Sequence, residues 1–363
     1  MPAYKYTTSA GKKLWYSNFY YKDYNGKSVH KCKRGFATKK EAQDWERSFL
    51  EKSSKDPTIT FSALLDNYLE DMRLRLKPTT MANKEAVYRS KIKPFFGEMK
   101  ICDITPLTVR QWQNSLIEFR DEKGNAYSET YLKTLHVQLS CLMNYAVKYY
   151  NLSKNPCHST GGIGNSNADE MKIWSREQFE SFIRHEDIAE YHLAFNILFY
   201  TGMREGELLA LTPDDIPRDE PVIHVSKTYA VVDGDAMLLT PKTPQSLRDI
   251  PIHQQLHDEI MEYIDSLFIK NDDLIFWFSK ASLLKEFHSM AQKAGLEQIR
   301  IHDLRHSHVS MLIQMGIPLP EISKRLGHKS PSTTLRIYSH LIPGNERRIA
   351  VAIGRLIDSP ENG

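Results

Sequence analysis

The sequence predicts a multidomain chain: a small β-sheet plus a helix, then an all-α domain, then a mixed α+β domain. Three observations predict it. Residues 1–55 hold two aromatic, lysine-rich runs of strand character followed by a helix-start signal. Residues 58–150 pass from one capped, apolar-periodic helix to the next with no strand pattern between them. Helical patterns resume at Trp174, after an Asn/Gly/Ser-rich tract, and surround short apolar strands at about 222–252. At 363 residues the chain has room for two or three domains, each with its own core.

Taken in order, Leu14–Lys22 carries Trp15, Tyr16, Phe19, Tyr20 and Tyr21 and reads as a strand, turned by Asp23-Tyr24-Asn25-Gly26. Ser28–Arg34 is the second strand, with Lys31, Lys33 and Arg34 along it. Thr38 and Glu41 have capping-box spacing and start a helix through Leu50, with Trp45 and Phe49 facing the sheet. Thr60 caps Phe61–Met72, and Pro78 opens a helix to Lys93 that Pro94–Gly97 breaks. Lys84, Arg89, Lys91 and Lys93 lie along that helix, a pattern ordinarily found on a solvated face. Thr105 caps Leu107–Phe119, and Ser128 begins a long helix to Tyr150. Residues 151–167 read as a linker. Beyond residue 343, Ile349, Ile353 and Leu356 give the tail Glu346–Ile357 an amphipathic stripe.

Charge separates along the chain. Residues 1–55 carry 13 Lys/Arg against 5 Asp/Glu, a net of +8, whereas residues 161–363 carry a net of −8. A basic head on a mildly acidic body is expected to meet phosphate. The longest apolar runs, such as Leu193–Tyr200, fall far short of the ~18 residues of a membrane span, and M-P-A-Y-K-Y opens no signal-peptide pattern. Four dispersed cysteines (32, 102, 141, 157) without a CxxC suit free thiols in a reducing cytoplasm.

Chemistry concentrates near the C-terminus. I-H-D-L-R-H-S-H (301–308) sets His302 and Arg305 three apart on a helix ended by Gly316 and Pro318. Pro320–Leu326 is a second helical piece, Gly327-His328 a turn bearing another imidazole, and a third piece carries Tyr338. An arginine and several hydrogen-bond donors around a tyrosine suit a site that grips an oxyanion and attacks it. His302 and His306, four apart, also suggest zinc, but no HExxH or cysteine pair accompanies them and Arg305 would sit beside the cation. Upstream, the helix Tyr191–Tyr200 stops at Gly202, and Arg204 opens the next with Glu207 three residues on to fix its guanidinium. In P-K-T-P-Q-S-L-R-D-I-P-I (241–252), Leu247, Ile250 and Ile252 mark a strand and Lys242 lies on the hairpin before it.

Together these pieces resemble the tyrosine recombinases, the integrases of phages and conjugative elements, in the pattern Arg…Lys…His-x-x-Arg…His…Tyr. Arg204, Lys242, His302, Arg305, His328 and Tyr338 match it in order and spacing, and the motifs cover roughly the last half of the chain. Lys227, on a neighbouring strand, is the other candidate lysine, though the K-T-x-x-S-x-R-x-I-P context favours Lys242.

The resemblance implies an arm-type DNA-binding domain (1–55), a helical, SAM-like core-binding domain (56–155), a linker (156–172), a catalytic domain of the tyrosine recombinase type (173–343) and a tail (344–363) that can dock in trans. It implies Lys31, Lys33, Arg34, Lys84, Arg89, Lys91 and Lys93 as DNA contacts, core and arm sites on double-stranded DNA, and a homotetramer. A host DNA-bending protein and an excision factor are further partners of that reading, with no metal or other cofactor and a bacterial cytoplasm as its setting. A relaxing topoisomerase shares the chemistry but needs no basic head. A silent DNA-binding repressor would not need the intact catalytic set.

Overall fold

The structure, a computed structural model, describes residues 3–8, 11–22, 28–53, 57–165, 171–232, 234–240, 244–328 and 330–338. Lys242, the turn Asp23–Gly26 and the tail Glu346–Ile357 lie outside the described residues. The chain forms two compact units, residues 1–169 and 170–363.

The first unit opens with an antiparallel sheet in the order β1 (Ala3–Thr7), β2 (Lys13–Lys22), β3 (Ser28–Phe36), and α1 (Lys39–Ser53) follows it. Strand β1, which no pattern in the sequence marked, is a five-residue edge strand with Tyr4 opposite Tyr16 and Tyr6 opposite Leu14. Period-2 alternation gives the sheet two faces. Phe19 packs on Trp45 and Phe49 of α1 at ring separations of 5.9 and 5.6 Å. On that face, buried Ser17 donates to buried Glu46 at 2.6 Å, so the carboxylate has a partner inside an aromatic core. Thr38 caps the Glu41 N–H as expected, but the Glu41 carboxylate reaches back to Ala37 rather than to Thr38 itself.

Helices α2 (Phe61–Arg73), α3 (Pro78–Val87), α4 (Lys93–Phe96), α5 (Pro106–Glu118), α6 (Glu129–Tyr149) and α7 (Pro156–Thr160) complete this unit. Side chains of Thr60, Thr105 and Ser128 cap α2, α5 and α6. Pro94 does not break the helix at Pro94–Gly97 as expected. The chain winds through a π-turn at Tyr88–Ile92, where the Lys93 N–H reaches the Tyr88 carbonyl, and continues helically to Phe96. Widening the turn just before a residue with no N–H accommodates its ring within the helix. The tract read as linker from residue 151 onward is likewise anchored in the core as far as Ile163. Asn155 caps α7, and Leu152, Cys157 and Ile163 join the core built on Phe61, Tyr88, Phe96, Trp112 and Leu139. Its polar composition reflects capping rather than solvation.

The second unit contains α8 (Arg176–Ile183), α9 (Ala189–Thr201), α10 (Glu205–Leu208), β4 (Val222–Val225), β5 (Thr228–Val232), β6 (Asp235–Leu239), β7 (Arg248–Pro251), α11 (Gln254–Ser266), α12 (Lys280–Lys293), α13 (Ile301–Gln314), α14 (Leu319–Leu326) and α15 (Pro331–Tyr338). The strands form two antiparallel pairs, β4 with β7 and β5 with β6. Helix α9 is apolar all round and buried accordingly, with Phe199 stacked on Phe179 at 3.8 Å. In β7, Ile250 is buried, but Leu247, expected to share its apolar pattern, lies before the strand and is exposed. No helix among the described residues is long and apolar enough to cross a membrane.

Candidate active site

Two helix C-termini build the centre of the second unit. Helix α9 ends at Gly202 in the left-handed conformation (φ 65°), where a Cβ would lie 2.5 Å from the His308 ring. Helix α14 ends the same way at Gly327 (φ 68°), where a Cβ would meet the Gln245 carbonyl at 2.8 Å and Arg248 at 3.1 Å. Such ends leave carbonyls without helical partners. Guanidinium groups take them. Arg305, almost wholly buried on α13, donates to the Gly202 carbonyl at 2.6 Å and to the Leu326 carbonyl at 2.8 Å. Arg248 donates to the Arg325 carbonyl at 2.8 Å. Cations at helix C-termini also complement the helix dipole.

Glu207 is the carboxylate of this cluster. It is buried and accepts from the Arg204 side chain at 2.7 Å, from the Arg204 backbone N–H at 2.9 Å, and from Arg248 at 2.8 and 3.2 Å. Burial alone would raise its pKa. The hydrogen bonds and charge of Arg248, with the charge of Arg204, outweigh that and hold it at about 2. Burial lowers Arg305 to about 9, with Arg204 and Arg248 adding to the effect, and it stays cationic at neutral pH. Three guanidiniums against one carboxylate leave a net positive centre, with Arg204 still more than a third exposed. Such a centre is made for an anion.

The histidines and the tyrosine surround that charge. His328 Nε2 lies 3.1 Å from Arg305 and accepts from it, so Nδ1 carries the proton and faces buried Thr334 at 2.8 Å. Burial, then Arg305 and Arg204, lower its pKa to about 4. In this arrangement Nε2 is occupied rather than offered as a donor. Tyr338 is buried against Val309, Ile313, Ile322 and Leu326, and its hydroxyl lies 2.5 Å from His306 Nδ1. Burial pushes Tyr338 up to about 12 against the pull of Arg305. His302 remains exposed on α13, its ring edge-to-face with His306 at 5.1 Å. What burial it has still lowers its pKa, aided by Arg305. Thus His302 and Arg305, three apart, diverge: one opens to solvent while the other points into the helix ends. Among the described residues no group of three or more His, Cys, Asp or Glu is arranged to hold a metal ion, and His306 faces Tyr338.

Arg204, Glu207, Arg305, His328 and Tyr338 therefore gather in one place, with His302 at its edge. Lys242 lies outside the described residues. Lys227, the other lysine weighed, is held by Thr212 at 2.8 Å and Asp215 at 2.9 Å. Sequence reasoning missed Arg248 and Thr334, and considered His306 only for zinc. Arg248 stood in the motif around Lys242, and the four-residue spacing of His302 and His306 marked one helix face.

The basic residues of the first unit divide. Lys31 and Lys33 turn toward the α1 side, their ammonium groups over Phe49 (5.3 Å) and Trp45 (5.1 Å). Arg34 points to the other face, over Tyr6 and Tyr16, on the side that carries exposed Tyr4 and Tyr20. Lys84 is half-buried between Tyr68 and Tyr88 and donates to Gln138 at 2.5 Å, so it is no member of a solvated stripe. Lys91 donates to Tyr127 at 2.7 Å, Arg89 pairs with Glu85, and Lys93 is exposed.

Residues 2–53 match an Arm DNA-binding domain, residues 60–117 a phage integrase N-terminal SAM-like domain, and residues 174–344 the phage integrase family. The ICEBs1 integrase of Bacillus subtilis (strain 168) is 29% identical over 342 residues, covering 88% of this chain and 91% of that one. A XerC-like tyrosine recombinase of Caldanaerobacter subterraneus is 27% identical over 362 residues, covering 89% and 90%. The fold is similar to that of the Tn1549 transposon integrase in complex with transposon right end DNA: TM-score 0.63, 20% identity, 81% of this chain and 99% of that one. It is also similar to a lambda integrase tetramer bound to a Holliday junction: TM-score 0.56, 17% identity, 92% and 97%.

Proposed function

The chain belongs to the phage integrase family of tyrosine recombinases, and from that premise we propose that it is a site-specific recombinase that integrates or excises a mobile element. It cuts and rejoins DNA through a 3′-phosphotyrosyl intermediate. The observation that carries the reading is the net positive cluster of Arg204, Arg248 and Arg305 beside the buried Tyr338 hydroxyl.

A phosphodiester resists attack because its oxygens are negative and its leaving alkoxide is poor. Fixed positive charge stabilises the pentacoordinate transition state, and a proton donor releases the alkoxide. In this reading Arg204 and Arg305 clamp the non-bridging oxygens, with Glu207 holding the Arg204 fork. His302 and His328 add hydrogen bonds, which for His328 requires its ring to exchange Arg305 for phosphate. Lys242 protonates the departing 5′-oxygen, and Tyr338 attacks. The phosphotyrosyl ester conserves the bond energy, so a 5′-hydroxyl from another duplex reverses the step. Strand exchange proceeds through a Holliday junction within a homotetramer, and the scheme uses neither metal nor nucleotide.

Residues 1–55 are assigned to arm-site DNA, 56–155 to core-site DNA, 173–343 to catalysis and 344–363 to docking on a neighbouring protomer. Binding of duplex DNA in a bacterial cytoplasm is the setting, with a host DNA-bending protein and an excision factor as accessory partners. Support comes from the family matches and the geometry of the basic cluster. The test is a suicide core-site substrate: Tyr338→Phe is expected to bind it as the wild type does and form no covalent adduct. An adduct formed by Tyr338→Phe overturns the assignment.

A further inference from the structure

We propose that His306 takes the proton from the Tyr338 hydroxyl as its oxygen attacks phosphorus and returns it when that oxygen leaves during rejoining. The inference rests on the reading of Tyr338 as nucleophile. Three imidazoles surround the site, and His306 Nδ1 lies 2.5 Å from the phenol. His328 Nε2 is occupied by Arg305, and the His302 ring meets His306 rather than Tyr338. Tyr338 is 1% exposed and the His306 side chain 12%, so water has little access to the contact and the imidazole is the acceptor at hand.

The surroundings fit a proton shuttle. Asp303 Oδ1 stands 3.9 Å from His306 Nε2, the nitrogen that keeps its N–H while Nδ1 accepts, and its negative charge favours the imidazolium. Asp303 is itself anchored by three hydrogen bonds from Arg300 at 2.8–3.0 Å, so its charge is fixed in place. The groups facing His306 are His302, Asp303, Arg300 and Arg305 from α13 and its cap, Tyr338 from α15, and His328 from the turn after α14. Burial, then His302, lower His306 to about 4, with Asp303 opposing. At rest, therefore, imidazole is neutral and the phenol keeps its proton as donor. A phosphodiester bound at Arg204 and Arg305 brings negative charge that favours imidazolium, so basicity rises only when substrate is present.

The step balances. The Tyr338 O–H bond breaks as Nδ1–H and O–P bonds form, and the P–O5′ bond breaks with its oxygen protonated by a separate donor. In rejoining the 5′-hydroxyl attacks as the separate donor, now deprotonated, takes its proton; the O5′–P bond forms, the P–O bond to Tyr338 breaks, and the imidazolium returns its proton to the phenolate.

The experiment uses the full chain and a core-site substrate with sulfur at the bridging 5′ position, whose leaving group needs no proton, and reads single-turnover adduct formation against pH. Wild type is expected to give a rate nearly flat from pH 6.5 to 8.5, with His306 already deprotonated. His306→Asn keeps an acceptor near the Nδ1 position but cannot take up the proton. It is expected to bind the DNA as wild type does, cleave on the order of 10²–10³-fold more slowly at pH 7, and gain about tenfold per pH unit as hydroxide replaces the base. Added imidazole should restore part of the rate to His306→Ala. His306→Asn cleaving like wild type would reduce the contact to a hydrogen bond and overturn the proposal. Faster cleavage would make His306 a restraint on Tyr338 and also overturn it. Loss of DNA binding by both variants would make His306 structural, with the same consequence. Absence of an adduct with wild type would instead remove the reading of Tyr338 as nucleophile.

Discussion

Glu207 sits where two guanidiniums converge in a buried place, and its effects are electrostatic before they are steric. Removing one partner from a buried ion pair leaves the others desolvated and unmatched, at a cost of about 3–5 kcal/mol. Glu207→Ala is therefore expected to lower the chemical denaturation midpoint strongly and to slow adduct formation by freeing Arg204. Full stability in that variant would count against the cluster. Because its pKa is held at about 2, below the ordinary ~4.3, Glu207 stabilises the fold above the latter value and loses that contribution as pH falls toward the former. The histidines act earlier. Burial lowers His306, His308 and His328 to about 4, 3 and 4. The unfolded chain takes up their protons first, below about 6.5. The thermal midpoint should fall between pH 7 and pH 5, and His308→Gln, which can still accept from Arg325, should flatten that fall. Equal midpoints at both pH values would contradict the burial of these rings.

Among the elements, the helical stretch from Pro78 to Phe96 shows how a charge run misleads. Lysine and arginine at positions 84, 89, 91 and 93 look alike in a sequence. In the fold Lys84 lies between two tyrosine rings, where burial lowers its pKa, and Arg89 pairs across one turn with Glu85. Lys84→Met should therefore change stability while leaving the salt dependence of core-site binding unaltered. Lys93→Ala should lower the slope of log affinity against log salt by about one unit. A flattened slope for Lys84→Met would return that lysine to the DNA-contact set.

For the whole molecule, net charge is only +3, but the first 55 residues hold a net +8. Deleting residues 1–55 is expected to spare binding to a short core site. It should weaken binding to long attachment-site DNA with flanking arm repeats and flatten its salt dependence, because counterion release scales with phosphates neutralised. Gel-shift titrations at several salt concentrations measure both. Unchanged binding to every duplex would leave the sheet and α1 without a role on DNA.

By itself the sequence determined most of the order of elements and marked out Arg204, Glu207, Arg305, His328 and Tyr338. Caps at Thr60, Thr105 and Ser128 act within one turn, and the glycines at 202 and 327 end helices through their own backbone freedom, so both are legible locally. The spacing from Arg204 to Tyr338 likewise marked out a family resemblance. The edge strand β1 escaped because five residues carry too little pattern, and α7 because its capping residues look like a linker's. Which side chain meets which was decided only by tertiary structure. Arg248 reaches Glu207 across 41 positions and Arg305 reaches Gly202 across 103, and no periodicity encodes such pairings. His306 becomes the partner of Tyr338 because α15, packed on α14, ends with Tyr338 set against Val309 and Ile313 of α13, so the pairing follows from packing and not from its place beside Arg305 in the chain.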